Sequence, residues 1–271
     1  MMTMTKILLL SLTLLTLSSA DSTKDQDMDG VPDSIDQCTN TPFLDEVNAK
    51  GCSTTSLIFP QERDDGSLDV AFGYGYSNNE DDIERNTQHV ARFLVSYFLN
   101  DWSYTLRTGY FDSEDDSGMQ DTALKIKRKF RLNKSLKVSL GVGVRLPTYD
   151  FTGNKTDYTL YSSVVYYPKS ALSLFAGLSH TFVNDEEIIT PLQDTNVFYL
   201  GSGYFFTKDF YANISYSYIE SKFITNHPAK ILMGTLFYKI DDKWFTTLSY
   251  SHEIDDQLHN SFSVKFGYSI W

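Results

Sequence analysis

From Ser67 to the C-terminus, apolar residues alternate with small or polar ones at every second position, segment after segment. That period is the signature of pleated strands, whose successive side chains point to opposite faces, and it excludes amphipathic helices of period 3.6. Leu68, Val70, Phe72, Tyr74 and Tyr76 alternate with Asp69, Ala71, Gly73, Gly75 and Ser77. Leu136, Val138, Leu140, Val142 and Val144 alternate with Lys137, Ser139, Gly141, Gly143 and Arg145, and Phe262, Val264, Phe266, Tyr268 and Ile270 with Ser263, Lys265, Gly267 and Ser269. The pattern predicts twelve strands, at about 67–78, 89–99, 102–113, 122–132, 135–147, 158–168, 171–183, 197–207, 210–221, 229–240, 243–254 and 260–271. In 158–168 and 197–207 both faces carry aromatics, so periodicity leaves their phase open.

The links between strands fall into two kinds. Tight turns at Asn100-Asp101, Asn133-Lys134, Lys169-Ser170, Lys208-Asp209 and Asp241-Asp242 alternate with longer polar links near 79–88, 114–121, 148–157, 184–196, 222–228 and 255–259. In an up-and-down sheet this puts every tight turn at one end and every long loop at the other, as in a transmembrane barrel with periplasmic turns. Eleven residues rise ~36 Å, which a 40° tilt reduces to roughly 28 Å, matching the apolar band of such a barrel. Closure leaves no unpaired strand edge in hydrocarbon. Trp102, Tyr104, Trp244, Tyr250 and Tyr268 fall near strand ends, where interfacial girdles form. A soluble sandwich would also alternate, but it needs no two classes of loop. The expected fold is therefore all-β: an antiparallel up-and-down transmembrane barrel of twelve strands over 67–271.

Charge placement bears on function. The chain carries a formal charge of −12, and it lacks Walker, dinucleotide or zinc-ligand spacing, so nucleic acid is not an expected partner. Barrel acids concentrate in turns and loops, whereas Arg92, Arg107, Lys125, Lys127, Lys129, Arg131, Lys137, Arg145 and Lys265 fall on the inward phase. Lys or Arg facing hydrocarbon at midplane costs about 2–4 kcal/mol, so these cations are expected to line the lumen. A basic lining favours anions, and the expected function is a porin-like barrel passing small anionic solutes. The competing expectation is a plugged, structural barrel whose cations are neutralised internally. Arg128 falls on the outward phase, where only a bulge or snorkelling would accommodate it.

The first 66 residues differ in kind. Lys6, the apolar run Ile7–Leu17 and Ser18-Ser19-Ala20 read as a secretory signal peptide over 1–20. Both cysteines, Cys38 and Cys52, lie in the exported part, where two such neighbours read as a disulfide. Between 25 and 36, Asp25, Asp27, Asp29, Asp33 and Asp36 stand at positions 1, 3, 5, 9 and 12 of a loop with Gly30 at position 6 and the Val31 carbonyl at 7. That all-oxygen set suits calcium, a hard cation with six to eight ligands.

Residues 25–52, with Cys38, Thr41-Pro42 and Gly51-Cys52, resemble a thrombospondin type 3 repeat of the kind found in bacterial OmpA-type outer-membrane proteins. The resemblance implies calcium held by Asp25, Asp27, Asp29, Val31, Asp33 and Asp36, with Cys38 bonded to Cys52. Only one full repeat is present, and Leu44 and Asn48 stand where glycine and aspartate are usual. The segment 21–66 is expected to be periplasmic, stabilised by calcium and able to dock a periplasmic or cell-wall partner.

The barrel region resembles bacterial outer-membrane barrels, which implies the outer membrane of a Gram-negative bacterium, with lipid as its surroundings. Trp271 resembles the aromatic C-terminal signal read by the barrel-assembly machinery, although Ile270 holds the outward register. His89, His180, His227, His252 and His259 all map to the long-loop half, near Glu220, Glu253, Asp255 and Asp256. A hydrolase at that rim, with His252 and Glu253 as its leading pair, is chemically sensible. No family motif surrounds these residues, and the expectation is that the protein is not an enzyme.

Overall fold

The computed structural model describes residues 66–80, 85–114, 116–169, 171–186, 190–254 and 258–270, together with Val31, Ser34, Asp36, Gln37, 46–47, Lys50 and 52–55. The chain divides into two units, Met1–Ser56 and Leu57–Trp271. In the first, Glu46–Val47 and Ser53–Thr55 pair antiparallel, and the Gln37 amide donates to the Lys50 carbonyl at 2.9 Å. The expected leader, the ligands Asp25, Asp27, Asp29 and Asp33, Cys38 and Trp271 lie outside the described residues.

The second unit holds twelve long strands: β1 (Ser67–Glu80), β2 (Arg85–Leu99), β3 (Trp102–Ser113), β4 (Thr122–Arg131), β5 (Leu136–Leu146), β6 (Asp157–Lys169), β7 (Leu172–Phe182), β8 (Thr195–Thr207), β9 (Phe210–Ile219), β10 (Ala229–Lys239), β11 (Trp244–Glu253) and β12 (Leu258–Ser269). Each pairs antiparallel with its sequence neighbours, and β12 pairs with β1 from Leu258↔Glu80 to Ser269↔Asp69. The sheet thus closes into a twelve-stranded up-and-down barrel. Closure satisfies every strand's backbone and removes the edges that an open sheet would expose.

The ladders fix which face each residue takes. Phe72, Tyr74, Leu140, Val142, Leu200 and Phe266 form part of an exposed apolar exterior, while Ala71, Ser96, Thr159, Ser173 and Ser215 are buried on the inside. Register also settles the two ambiguous strands. Leu174↔Tyr166 and Leu178↔Phe198 share the outward row, so Tyr158, Leu160 and Leu200 face out and Tyr161, Tyr199 and Phe205 face in. Trp102, Tyr104, Trp244 and Tyr250 are exposed outward, and Trp244 meets Tyr268 edge-on with ring centroids 4.8 Å apart.

Turn chemistry explains the tight end. Asn100 adopts a left-handed φ of 52°, which Asn tolerates better than most residues. The Asn133 side-chain oxygen accepts the Ser135 and Leu136 amides at 2.8 Å, and Asp241 accepts those of Lys243 and Trp244 at 2.8 and 2.7 Å. These two bonds hold the exposed Asp241 carboxyl below the usual carboxylate pKa, with the Trp244 amide the larger cause.

At the other end the structure revises the loop boundaries. The link expected at 79–88 shrinks, because β1 and β2 continue pairing as far as Glu80↔Arg85. Backbone pairing persists there after the apolar alternation fades, so hydropathy alone ends the strands too early. Likewise the 114–121 link contains a short strand, Ser117–Met119, paired to β3 through Tyr110↔Met119.

Candidate functional site: the inner wall

All nine cations expected on the inward phase share the rows of the small and polar residues. Cross-strand glycines make room for those near mid-strand: Gly73 stands opposite Arg92 and Lys265, Gly109 opposite Arg92, Gly143 opposite Lys125 and Gly141 opposite Lys127. The fit is close. A Cβ on Gly141 would lie 2.5 Å from Lys127 Cγ and from the Ile126 carbonyl oxygen.

The nine divide by partner. Near the tight turns, Arg131 pairs with Asp101 at 3.1 Å, and the Lys137 ammonium lies 4.8 Å from the Tyr167 ring centre. Toward the loops, Arg145 is bound by Asp157, whose carboxylate is completely buried and also accepts the Asn184 amide at 2.8 Å; Asp121 adds a second contact at 3.8 Å. Lys129 also has an interaction partner. Between these levels, Arg92, Arg107, Lys125, Lys127 and Lys265 have no carboxylate within ion-pair distance among the described residues.

Arg92, Arg107 and Lys265 line a cavity of about 200 Å³ whose other walls include Gly73, Thr247, Ser249 and Ser263. Small residues on β11, β12 and β1 leave this space open beneath the three cations. Lys125 completes the group on β4, its ammonium 3.8 Å from the Tyr161 ring centre. Such a wall can hold a carboxylate or other small anion by charge and hydroxyl donors, without covalent chemistry.

Reading the sequence by phase alone missed the aromatic side of the lumen. Tyr161, Phe175, Tyr199, Phe205, Tyr211, Phe237 and Phe245 occupy inward rows, and several rest on cross-strand glycines. A Cβ on Gly177 would overlap the Tyr199 ring, one on Gly143 would lie 2.8 Å from Tyr161 Cε2, and one on Gly201 2.5 Å from Phe175 Cζ. The signal was present as glycines alternating with aromatics, but pairing each ring with its glycine requires the register.

Arg128 stays on the outward phase with no register shift in the β4–β5 ladder, so a bulge is not the explanation. It pairs with Trp102, the first residue of β3, and its guanidinium carbon lies 5.4 Å from the Trp102 ring centre and 5.1 Å from that of Phe130. The charge is held among girdle aromatics at the tight-turn end.

The long-loop rim is cross-linked by polar contacts. Asp121 accepts the Tyr149 amide at 3.0 Å and the Asn154 side chain at 2.8 Å, and the Tyr149 hydroxyl bonds Asp116. Asp185 accepts the Lys155 amide at 2.9 Å and the Lys222 ammonium at 2.7 Å, joining three loops. Burial opposes its ionisation, but these two bonds and the Lys222 charge hold its pKa below the usual value. The histidines are dispersed: His180 bonds Asn196 and His252 bonds Asn260, both at 2.9 Å, while His89 bonds the Tyr74 hydroxyl at 2.5 Å. His252 and Glu253, adjacent on one strand, point to opposite faces, which corrects their pairing as an acid–base couple.

No family model matches the chain. A segment of 78 residues is 31% identical to outer membrane porin F of Pseudomonas aeruginosa, covering 29% of this chain and 21% of that protein, so the match spans about a fifth of the relative's length. Among solved structures, an outer-membrane channel of Pseudomonas putida F1 superposes with a TM-score of 0.60 at 13% identity, over 79% of this chain and all of the other. The KdgM porin gives 0.54 at 14% identity over 74% of this chain and 99% of its own, and the NanC porin 0.53 at 14% over 74% and 98%. The protein therefore has the fold of outer-membrane porins and channels: a closed β-barrel of twelve antiparallel strands.

Proposed function

We propose that this protein is an outer-membrane channel that passes small anionic solutes, with a calcium-stabilised N-terminal segment on the periplasmic side. The observation that carries the reading is the set of five inward cations with no carboxylate at ion-pair distance among the described residues, three of them around one cavity. Cationic charge without an ion-pair contact on the wall of a low-dielectric cylinder raises the local concentration of anions and lowers that of cations, with the buried Asp69 carboxylate offsetting part of the Lys265 charge. The exposed apolar exterior supports insertion in lipid, and the fold shared with porins supports the transport class. Planar-bilayer recording of the purified protein in a salt gradient tests this reading. A reversal potential displaced toward the anion is expected, and a silent or cation-selective bilayer overturns it.

Calcium enters through donor chemistry: five carboxylates and the Val31 carbonyl at loop spacing form an all-oxygen set suited to that ion, which would neutralise charges that otherwise repel. A bond between Cys38 and Cys52 is supported by the Gln37–Lys50 backbone contact and by the absence of a free cysteine among the described residues. The segment would dock a periplasmic or cell-wall partner, and the C-terminal strand would engage the barrel-assembly machinery. Calorimetry on the full chain should detect binding at submillimolar to millimolar calcium, lost in Asp27→Asn with Asp29→Asn; no heat at millimolar calcium refutes the assignment.

A further inference from the structure

We propose that the cavity beneath Arg92, Arg107 and Lys265 is a binding site for a small dianion, a solute carrying two acidic groups, an inference that rests on the anion-channel reading above. The three cations stand on β2, β3 and β12 and line one cavity of about 200 Å³. Two glycines of β1 bring them together. Gly73 pairs with Arg92 on one side and Lys265 on the other, so no side chain separates them there. Gly75 lies beside the Arg92 guanidinium, where a Cβ would come within 3.3 Å of Nη1. Arg107 joins from β3, one inward row from Gly109, the cross-strand partner of Arg92. Thr247, Ser249 and Ser263 add hydroxyls to the lining.

Charge selects the valence. Lys125, on β4, is engaged by the Tyr161 ring at 3.8 Å and does not line the cavity. Asp69, two inward rows from Gly73 toward the tight turns, is buried, accepts the Ser269 hydroxyl at 2.6 Å and offsets part of the Lys265 charge. Three cations against one carboxylate leave a formal excess of two positive charges around the cavity. Like charges on one cavity wall repel, and a bound anion relieves the repulsion. A monoanion leaves one charge unanswered, whereas a dianion matches the excess. A dianion also gives up more hydration on leaving water, and the lining replaces it. Two guanidinium forks, an ammonium and three hydroxyls are all hydrogen-bond donors, and all line the same space.

Block of the chloride current tests the proposal, with the full-length protein in planar bilayers at about pH 7.5, where carboxylic acids are ionised. The probes are succinate and butyrate, four-carbon acids that differ by one carboxylate. The half-blocking concentration of succinate is expected about ten-fold below that of butyrate, the order set by one additional unit charge beside a cation in a wet lumen. Arg107→Gln should bring that ratio down to about three. Asp69→Asn, whose amide oxygen still accepts the Ser269 hydroxyl, should raise it above about ten. Heat-modifiable gel mobility confirms that each variant is folded. Suberate, an eight-carbon diacid whose charges stand too far apart for one cavity of this volume, should block several-fold less strongly than succinate. Equal block by succinate and butyrate in an anion-selective channel, or a ratio that neither variant moves, overturns this inference alone. Suberate equal to succinate overturns it too, because the field of the whole lumen would then account for the block. A silent or cation-selective bilayer overturns the channel reading itself.

Discussion

The Lys125 ammonium lies 3.8 Å from the centre of the Tyr161 ring, which itself rests on Gly143 of the strand between them. Three neighbouring strands thereby share one interaction unit, in which the glycine seats the ring and the ring holds the cation. A double-mutant cycle of Lys125→Met and Tyr161→Leu should give a coupling of about 0.5–1 kcal/mol in reversible urea unfolding from lipid vesicles. A coupling near zero would mean that the two groups are merely adjacent.

Glycine seats make a second prediction with an internal control. A Cβ at Gly201 would lie 2.5 Å from both the Ile214 carbonyl and the Phe175 ring, whereas one at Gly234 meets nothing within 4 Å. Gly201→Ala should destabilise the barrel by about 1–3 kcal/mol, as overpacking does, and Gly234→Ala should be close to neutral. Equal effects in the same unfolding assay would discredit the seating argument.

Position along the strand governs what an outward charge costs. Arg128 sits in the girdle row of Trp102, so Arg128→Leu should change stability by less than about 1 kcal/mol. Leu124, two outward rows deeper in the apolar band, is opposite Leu106. Leu124→Arg should cost about 2–4 kcal/mol, measured by unfolding from vesicles.

Asp157 and Arg145 form the ion pair that joins β5 and β6 at the loop end. Asp157→Ala would strand the guanidinium beside a weaker partner, Asp121. Because the Arg145 side chain is 37% exposed, water compensates in part, and the expected loss is about 2 kcal/mol, below that of a fully buried pair. Thermal unfolding in detergent should show it.

The Asp185 latch carries a pH dependence of defined sign. Its folded pKa lies below the unfolded value, so its contribution is complete above the ordinary carboxylate pKa of about 4 and is lost as pH falls through the lower folded value. The protection of the amides in residues 183–186 and 220–223, taken relative to the pH-dependent intrinsic exchange rate, should therefore be the same at pH 7 and pH 5.5 and should fall below roughly pH 4. Asp185→Asn should exchange fast at every pH; loosening that begins near neutrality would assign the latch to another group.

What the sequence determined by itself was the strand count, the closed up-and-down topology and the phase of most side chains. These follow from local chemistry: alternation sets the face, and Asn or Asp at the tight links sets the turns. The same logic put Arg92, Arg107, Lys125, Lys127 and Lys265 on one phase. Only the tertiary structure decided what each of them meets. Whether Arg145 is neutralised depends on Asp157 from the next strand, and where Tyr199 lies depends on Gly177, 22 positions earlier in the chain. The phases of β6 and β8 were likewise undecidable locally, because aromatics on both faces erase the contrast that marks inside from outside. Register alone restored it, and register belongs to the closed sheet, since each ladder is fixed by the strands on either side.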